Sequence, residues 1–149
     1  MSLKEKIKAD IKQAMRDKNE LRLGTLRMLS AAIQRREVDE RIELEDSQVI
    51  AVIEKLVKQG RESIEQYVKG GRQELADKES AEIAVFQAYL PQQLGEAEID
   101  KLITEAIAGT GATSVKDMGK VMGVLKPQLQ GRADMGQVGG KVKARLGAA

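Results

Sequence analysis

Apolar residues recur along this chain at three- and four-residue intervals almost from end to end, the period of an α-helix lying on a core. Leu3, Ile7, Ile11 and Met15 open the series, behind a capping-box pattern at Ser2 and Glu5. Lys18-Asn19-Glu20 predicts a turn. A second helix follows over about 21–38, with Leu23, Leu26, Leu29, Ser30 and Ile33 facing inward. Residues 39–46, DERIELED, read as a loop or frayed end. Asp46 or Ser47 is placed to cap a third helix, whose stripe is Val49, Ile53, Leu56, Gly60, Ile64 and Tyr67. Gly70-Gly71 stops it. A fourth helix over about 72–89 ends at Pro91, because proline disfavours helical backbone at the residue before it.

Residues 91–95, PQQLG, are the expected hinge between two lobes, 1–90 and 96–149. Beyond the hinge, a fifth helix is expected over 96–108, a sixth over 114–130 behind Ser114 and Asp117, and a seventh from Asp134 to about Leu146. No alternating run and no Asn-Gly hairpin argues for a strand. The expected fold is all-α: an N-terminal lobe of about four helices and a smaller C-terminal three-helix bundle.

The glycines disturb this pattern most. KDMGKVMGVLKPQLQGRAD at 116–134 has glycines at 119, 123 and 131 and a proline at 127 inside a helical pattern. Gly costs about 1 kcal/mol relative to Ala in a helix interior. Either close backbone packing or a bound partner must offset that cost. The last helix, with Gly136, Gly139 and Gly140, needs tertiary contacts to persist.

Charge points to the same region. The 149 residues carry a net +2, evenly balanced over 1–94. Residues 95–115 are acidic, and 116–149 hold seven basic residues against Asp117 and Asp134. Such an excess attracts phosphate, or is simply a solvated helix face. The candidate nucleic-acid-binding residues are Lys116, Lys120, Lys126, Arg132, Lys141, Lys143 and Arg145. Lys116/Lys120 and Lys141/Arg145 are each one helical turn apart, and antiparallel packing would merge them with Arg132 into one positive surface. Phe86, Tyr67 and Tyr89 are the only aromatics, so base stacking is poorly supplied.

Much chemistry is excluded. Without Cys or His, the chain lacks the usual zinc and iron–sulfur ligands and the commonest neutral-pH base. No catalytic residue, metal or cofactor is expected. GKVMG at 119–123 follows no strand and is not a phosphate loop. The carboxylates from Glu37 to Asp46 sit among arginines and read as a solvated loop. Ser30, among apolar neighbours, reads as a serine bonding back to its own helix rather than a nucleophile. Met118 and Met122, at i,i+4, read as filling for one face of helix six, with an adaptable binding surface as the alternative. No apolar run reaches the ~20 residues of a membrane span, and the charged N-terminus has no signal-peptide core. The cytoplasm is the default compartment.

TLRMLSAAI at 25–33, QGRESIEQY at 59–67, ADKESAEIAV at 76–85, YLPQQL at 89–94 and the 116–134 run together resemble the GatB/YqeY family. Its YqeY-like proteins are stand-alone relatives of the tail domain of the B subunit of the tRNA-dependent amidotransferase. The resemblance covers almost the whole chain and implies an all-α, two-lobe fold. It is nearest to the tail over Val121–Leu146, with Gly131-Arg132-Ala133-Asp134 at its centre. In the amidotransferase that tail contacts the body of the tRNA. The family label, carbon–nitrogen ligase activity with glutamine as nitrogen donor, reads as inherited from the multidomain enzyme, whose catalytic cradle is absent here. The resemblance implies a non-catalytic partner of tRNA or of a tRNA–enzyme complex. The alternatives are a helical protein-interaction module and, behind it, a genuine amide-transfer enzyme.

Overall fold

Ser2 starts the first helix as its pattern predicts: its hydroxyl accepts from the Glu5 amide and the Glu5 carboxylate accepts from the Ser2 amide. The computed structural model describes residues 1–147, so the last two residues of the expected 96–149 bundle lie outside the described residues. The helices are α1 (Leu3–Arg16), α2 (Glu20–Glu40), α3 (Asp46–Lys69), α4 (Gln73–Gln87), α5 (Glu96–Thr110), α6 (Met118–Leu129) and α7 (Met135–Gly147). A 3₁₀ turn, Val115–Asp117, precedes α6. The fold is all-α, and no strand occurs among the described residues. The chain divides into two compact units, Met1–Leu90 and Pro91–Ala149.

In the first unit, Ile7, Leu26, Leu29, Ile53, Ile83 and Phe86 anchor one buried apolar cluster drawn from α1 to α4. Each such side chain contributes about 1.5–3 kcal/mol on burial. Gly60 lets α3 and α4 approach, since a Cβ there would stand 3.0 Å from Ile83. Gly71, at φ +71°, turns the chain between them. Three polar contacts that periodicity does not reveal tie this unit together. The Glu37 carboxylate accepts from Lys4 Nζ at 2.6 Å and from the Leu44 amide at 2.8 Å. The lysine bond, then the amide, holds Glu37 below the usual carboxylate range. Tyr89 donates to Asp10 at 2.5 Å, beneath Lys6.

Three boundaries differ from expectation. Helix α2 runs through Glu40, into the segment expected as a loop, and stops where Arg41 adopts the left-handed conformation. The N-cap position of α3 is Glu45, not Asp46 or Ser47: the Glu45 amide donates to the Gln48 side chain at 2.9 Å, and the Asp46 carboxylate accepts instead from the Leu3 amide at 3.0 Å. The sixth helix is not continuous from 114, since residues 115–117 form the 3₁₀ turn. Ser30 also differs. It is half-buried and makes no back-bond among the described residues, whereas the Thr25 hydroxyl in α2 donates back to the Leu21 carbonyl at 2.7 Å.

The second unit packs Ile103, Val121, Leu125, Leu129, Val138 and Val142 into its own core. Met118 and Met122 are partly buried against it as filling, as expected, and so is Met135.

Candidate nucleic-acid interface

Helix α6 is built to show two different faces. Its start is fixed by Asp117, whose carboxylate accepts from the Thr113 amide at 3.0 Å and the Ser114 amide at 3.4 Å. The Thr113 bond is the main reason Asp117 stays below the usual carboxylate range. Val121, Leu125 and Leu129, one turn apart, are fully buried. Gly119, Gly123 and Pro127 keep the same four-residue step on the far side, and all three are exposed. A Cβ built at Gly119 or Gly123 meets nothing within 4 Å. Close packing within the unit therefore does not explain either glycine. Gly131 is different: it is buried at φ +77°, which a side chain resists.

The seven basic candidates fall into distinct settings. Lys116 on the 3₁₀ turn and Lys120 and Lys126 on α6 are exposed. Lys120 and Lys126 flank the bare glycine backbone. Neither they nor Lys143, exposed on α7, form an ion pair among the described residues. Lys141 and Arg145 turn toward α5. Lys141 Nζ lies 2.9 Å from Asp100 and 3.1 Å from Glu96, and these bonds, Asp100 first, raise its pKa. Arg145 donates to the Thr104 hydroxyl. The acidic surplus of 95–115 is thus spent in part on the basic surplus of α7.

Arg132 belongs to a strap. Its Nε donates to the Gln92 carbonyl at 3.3 Å, and its carbonyl accepts from the Leu94 amide at 2.9 Å. Gln93 Nε2 donates to the Gly131 carbonyl at 2.5 Å. Asp134 then caps α7, accepting from Gly136 at 2.9 Å and Gln137 at 3.4 Å. Residues 92–94 and 131–134, two of the quoted motifs, interlock as a structural device. Sequence reasoning counted these charges but had no signal for their pairing. The glycines at 119 and 123 stood out in the sequence as helix-interior exceptions, and the burial of Val121, Leu125 and Leu129 shows which way they face.

The carboxylates between Glu37 and Asp46 are also partly engaged: Glu37 by Lys4, Glu40 by Arg36 at 2.5 Å and Asp46 by the Leu3 amide. No group of three or more potential metal ligands exists among the described residues. No helix is long and apolar enough to cross a membrane, among the described residues.

A family model described as Yqey-like protein matches residues 4–146. The chain is 34% identical over 146 residues to altered inheritance of mitochondria protein 41, mitochondrial, of Pyrenophora tritici-repentis, covering 96% of this chain and 80% of that one. The protein of the same name from Kluyveromyces lactis is 30% identical over 142 residues, covering 93% and 72%. That from Lachancea thermotolerans is 34% identical over 118 residues, covering 74% and 63%, so the match there spans just under two thirds of the relative's length.

Proposed function

This chain belongs to the Yqey-like protein family, and on that premise we propose that it is a non-catalytic RNA-binding protein. It contacts the phosphate backbone of tRNA, free or in a tRNA–enzyme complex, through the outward face of α6. The observation that carries this reading is the exposed, unobstructed backbone at Gly119 and Gly123 on the same helix as Lys120 and Lys126, exposed cations with no ion-pair partner among the described residues. A backbone without Cβ atoms lets a phosphate come close while flanking ammonium groups neutralise it. Lys116 extends the line, and Lys143 adds a further cation. Arg132, Lys141 and Arg145 hold the unit together. With no aromatic residue in 116–149, recognition rests on phosphate rather than bases. The family's ligase label belongs, on this reading, to the multidomain enzyme. The compartment is the cytoplasm or, following the names of the relatives, the mitochondrion.

Tritration of labelled tRNA by fluorescence anisotropy across salt concentrations tests it. Wild type should bind with a steep log–log salt dependence. Lys120→Ala with Lys126→Ala should weaken binding across tRNA species alike and make the slope shallower by about 2. Lys141→Ala should leave the slope nearly unchanged. Salt-insensitive or absent binding by wild type refutes the proposal. A second reading would then lead: Val115 and Val124, 42% and 40% exposed beside these lysines, suit docking on an acidic protein surface.

A further inference from the structure

Helix α2 is apolar on two faces. One, carrying Leu26, Leu29 and Ile33, is buried in the core of its unit. The other is exposed and carries Leu21, Gly24, Met28, Ala31, Arg35 and Val38. Their spacing alternates three and four residues, the a/d pattern of a coiled-coil seam. Leu21, Met28 and Val38 are 42%, 45% and 68% exposed, and a Cβ at Gly24 meets nothing within 4 Å. The eighteen residues from Leu21 to Val38 run about 26 Å along the helix. A lone exposed Leu is ordinary, but a seam of this length is not.

We propose that this face is a dimer seam whose occupant is α2 of a second copy, packed antiparallel about a two-fold axis between Leu29 and Ser30. The side chains are complementary to themselves in that arrangement. Leu21 meets Val38 of the second copy, Met28 meets Ala31, and Arg35 lays its aliphatic stem across Gly24. Large faces small at both inner layers, and the symmetry repeats each pairing. At the ends, Glu20 comes beside Arg41 of the second copy. Both are exposed and have no ion-pair partner in their own chain, among the described residues. A parallel pairing fails on the same residues: Arg35 opposes Arg35, and Gly24 opposite Gly24 leaves a gap. Beside the seam an open groove of about 590 Å³ between α2 and α3, with Ala51, Val52 and Leu56 in its lining, gives the second copy further apolar surface.

One two-helix seam buries less than the ~800 Å² per partner of a standard interface, so dissociation belongs in the micromolar range. Sedimentation equilibrium of the whole chain at roughly 1–500 μM should show a reversible monomer–dimer equilibrium. Met28→Glu should raise the dissociation constant about 100-fold or more by placing a charge in the seam. Glu20→Arg or Arg41→Glu alone should weaken the dimer, and the two together should restore it. Because the chain has no cysteine, Leu21→Cys and Val38→Cys chains, mixed and oxidised, should cross-link to each other, while Val38→Cys alone should not. Circular dichroism checks that each surface variant stays folded. A chain monomeric throughout, a dimer indifferent to Met28→Glu, or cross-linking of Val38→Cys to itself overturns the proposal.

Discussion

Replacing Gly119 and Gly123 together by alanine separates the needs of the fold from those of a partner. Neither added methyl has a neighbour within 4 Å, and both positions lie in α6. Gly123 is mid-helix, where alanine gains about 1 kcal/mol over glycine. Gly119 is in the first turn, where fewer helical bonds depend on it, so about half that is expected. The sum, about 1.5 kcal/mol, raises the melting temperature of a unit this small by roughly 6–12 °C. Differential scanning calorimetry reads that shift. Amide exchange at Val121 and Leu125 should slow about tenfold if the opening that exposes them includes α6. The same methyls stand where the phosphate backbone would lie, so tRNA affinity should fall while stability rises. A lower melting temperature refutes the packing argument. A higher one with unchanged tRNA affinity refutes the assignment of this face to RNA.

At Gly60 the sign reverses. Alanine there must displace Ile83 from 3.0 Å, at an overpacking cost of about 1–3 kcal/mol against a propensity gain of about 1. Net destabilisation near 1 kcal/mol should appear in urea melts, and an unchanged midpoint refutes it. Burial, then the bond to Asp10, pushes the Tyr89 phenol up to about 12. The fold therefore favours the protonated phenol, a contribution complete below the ordinary value near 10 and lost as pH rises towards 12. Tyr89→Phe should cost about 1–2 kcal/mol at neutral pH and flatten the alkaline limb of the stability profile. An equally steep limb in the variant counts against this. Asp134→Ala removes the cap of α7 and should cost about 1 kcal/mol, seen as faster exchange at Val138 and Val142. Unaltered exchange there shows that the cap contributes little.

Periodicity and punctuation were enough to place seven helices, because each buries a stripe whose spacing is local information. Of the misplaced boundaries, the one at α3 involves a distant residue, while those at Arg41 and at residues 115–117 turn on local backbone conformation. At the start of α3, behind Glu45, the Asp46 carboxylate accepts from the Leu3 amide, 43 positions away in the chain. The candidate interface follows the same rule. Lys120 and Lys126 were readable as candidates from charge, while their outward setting follows from the burial of Val121 and Leu125 on the other face. Lys141 looked equally available, and only the position of α5 beside it reveals that Asp100 and Glu96 already hold it. Charge is countable in a sequence, but its neutralisation depends on tertiary placement.

The strap formed by residues 92–94 has a consequence for the order of folding. Gln93 reaches the Gly131 carbonyl across 38 positions, so the bond cannot form until the intervening helices have brought both ends together. Its loop-closure entropy is then already met. The strap is a late step of assembly and, by reversal, an early one of unraveling. An added residue between Pro91 and Gly95 would shift its register and loosen the start of α7, while barely touching the buried contacts of α5 and α6. Protease nicking near residue 92 should therefore report the first opening of the C-terminal unit, before its core admits water.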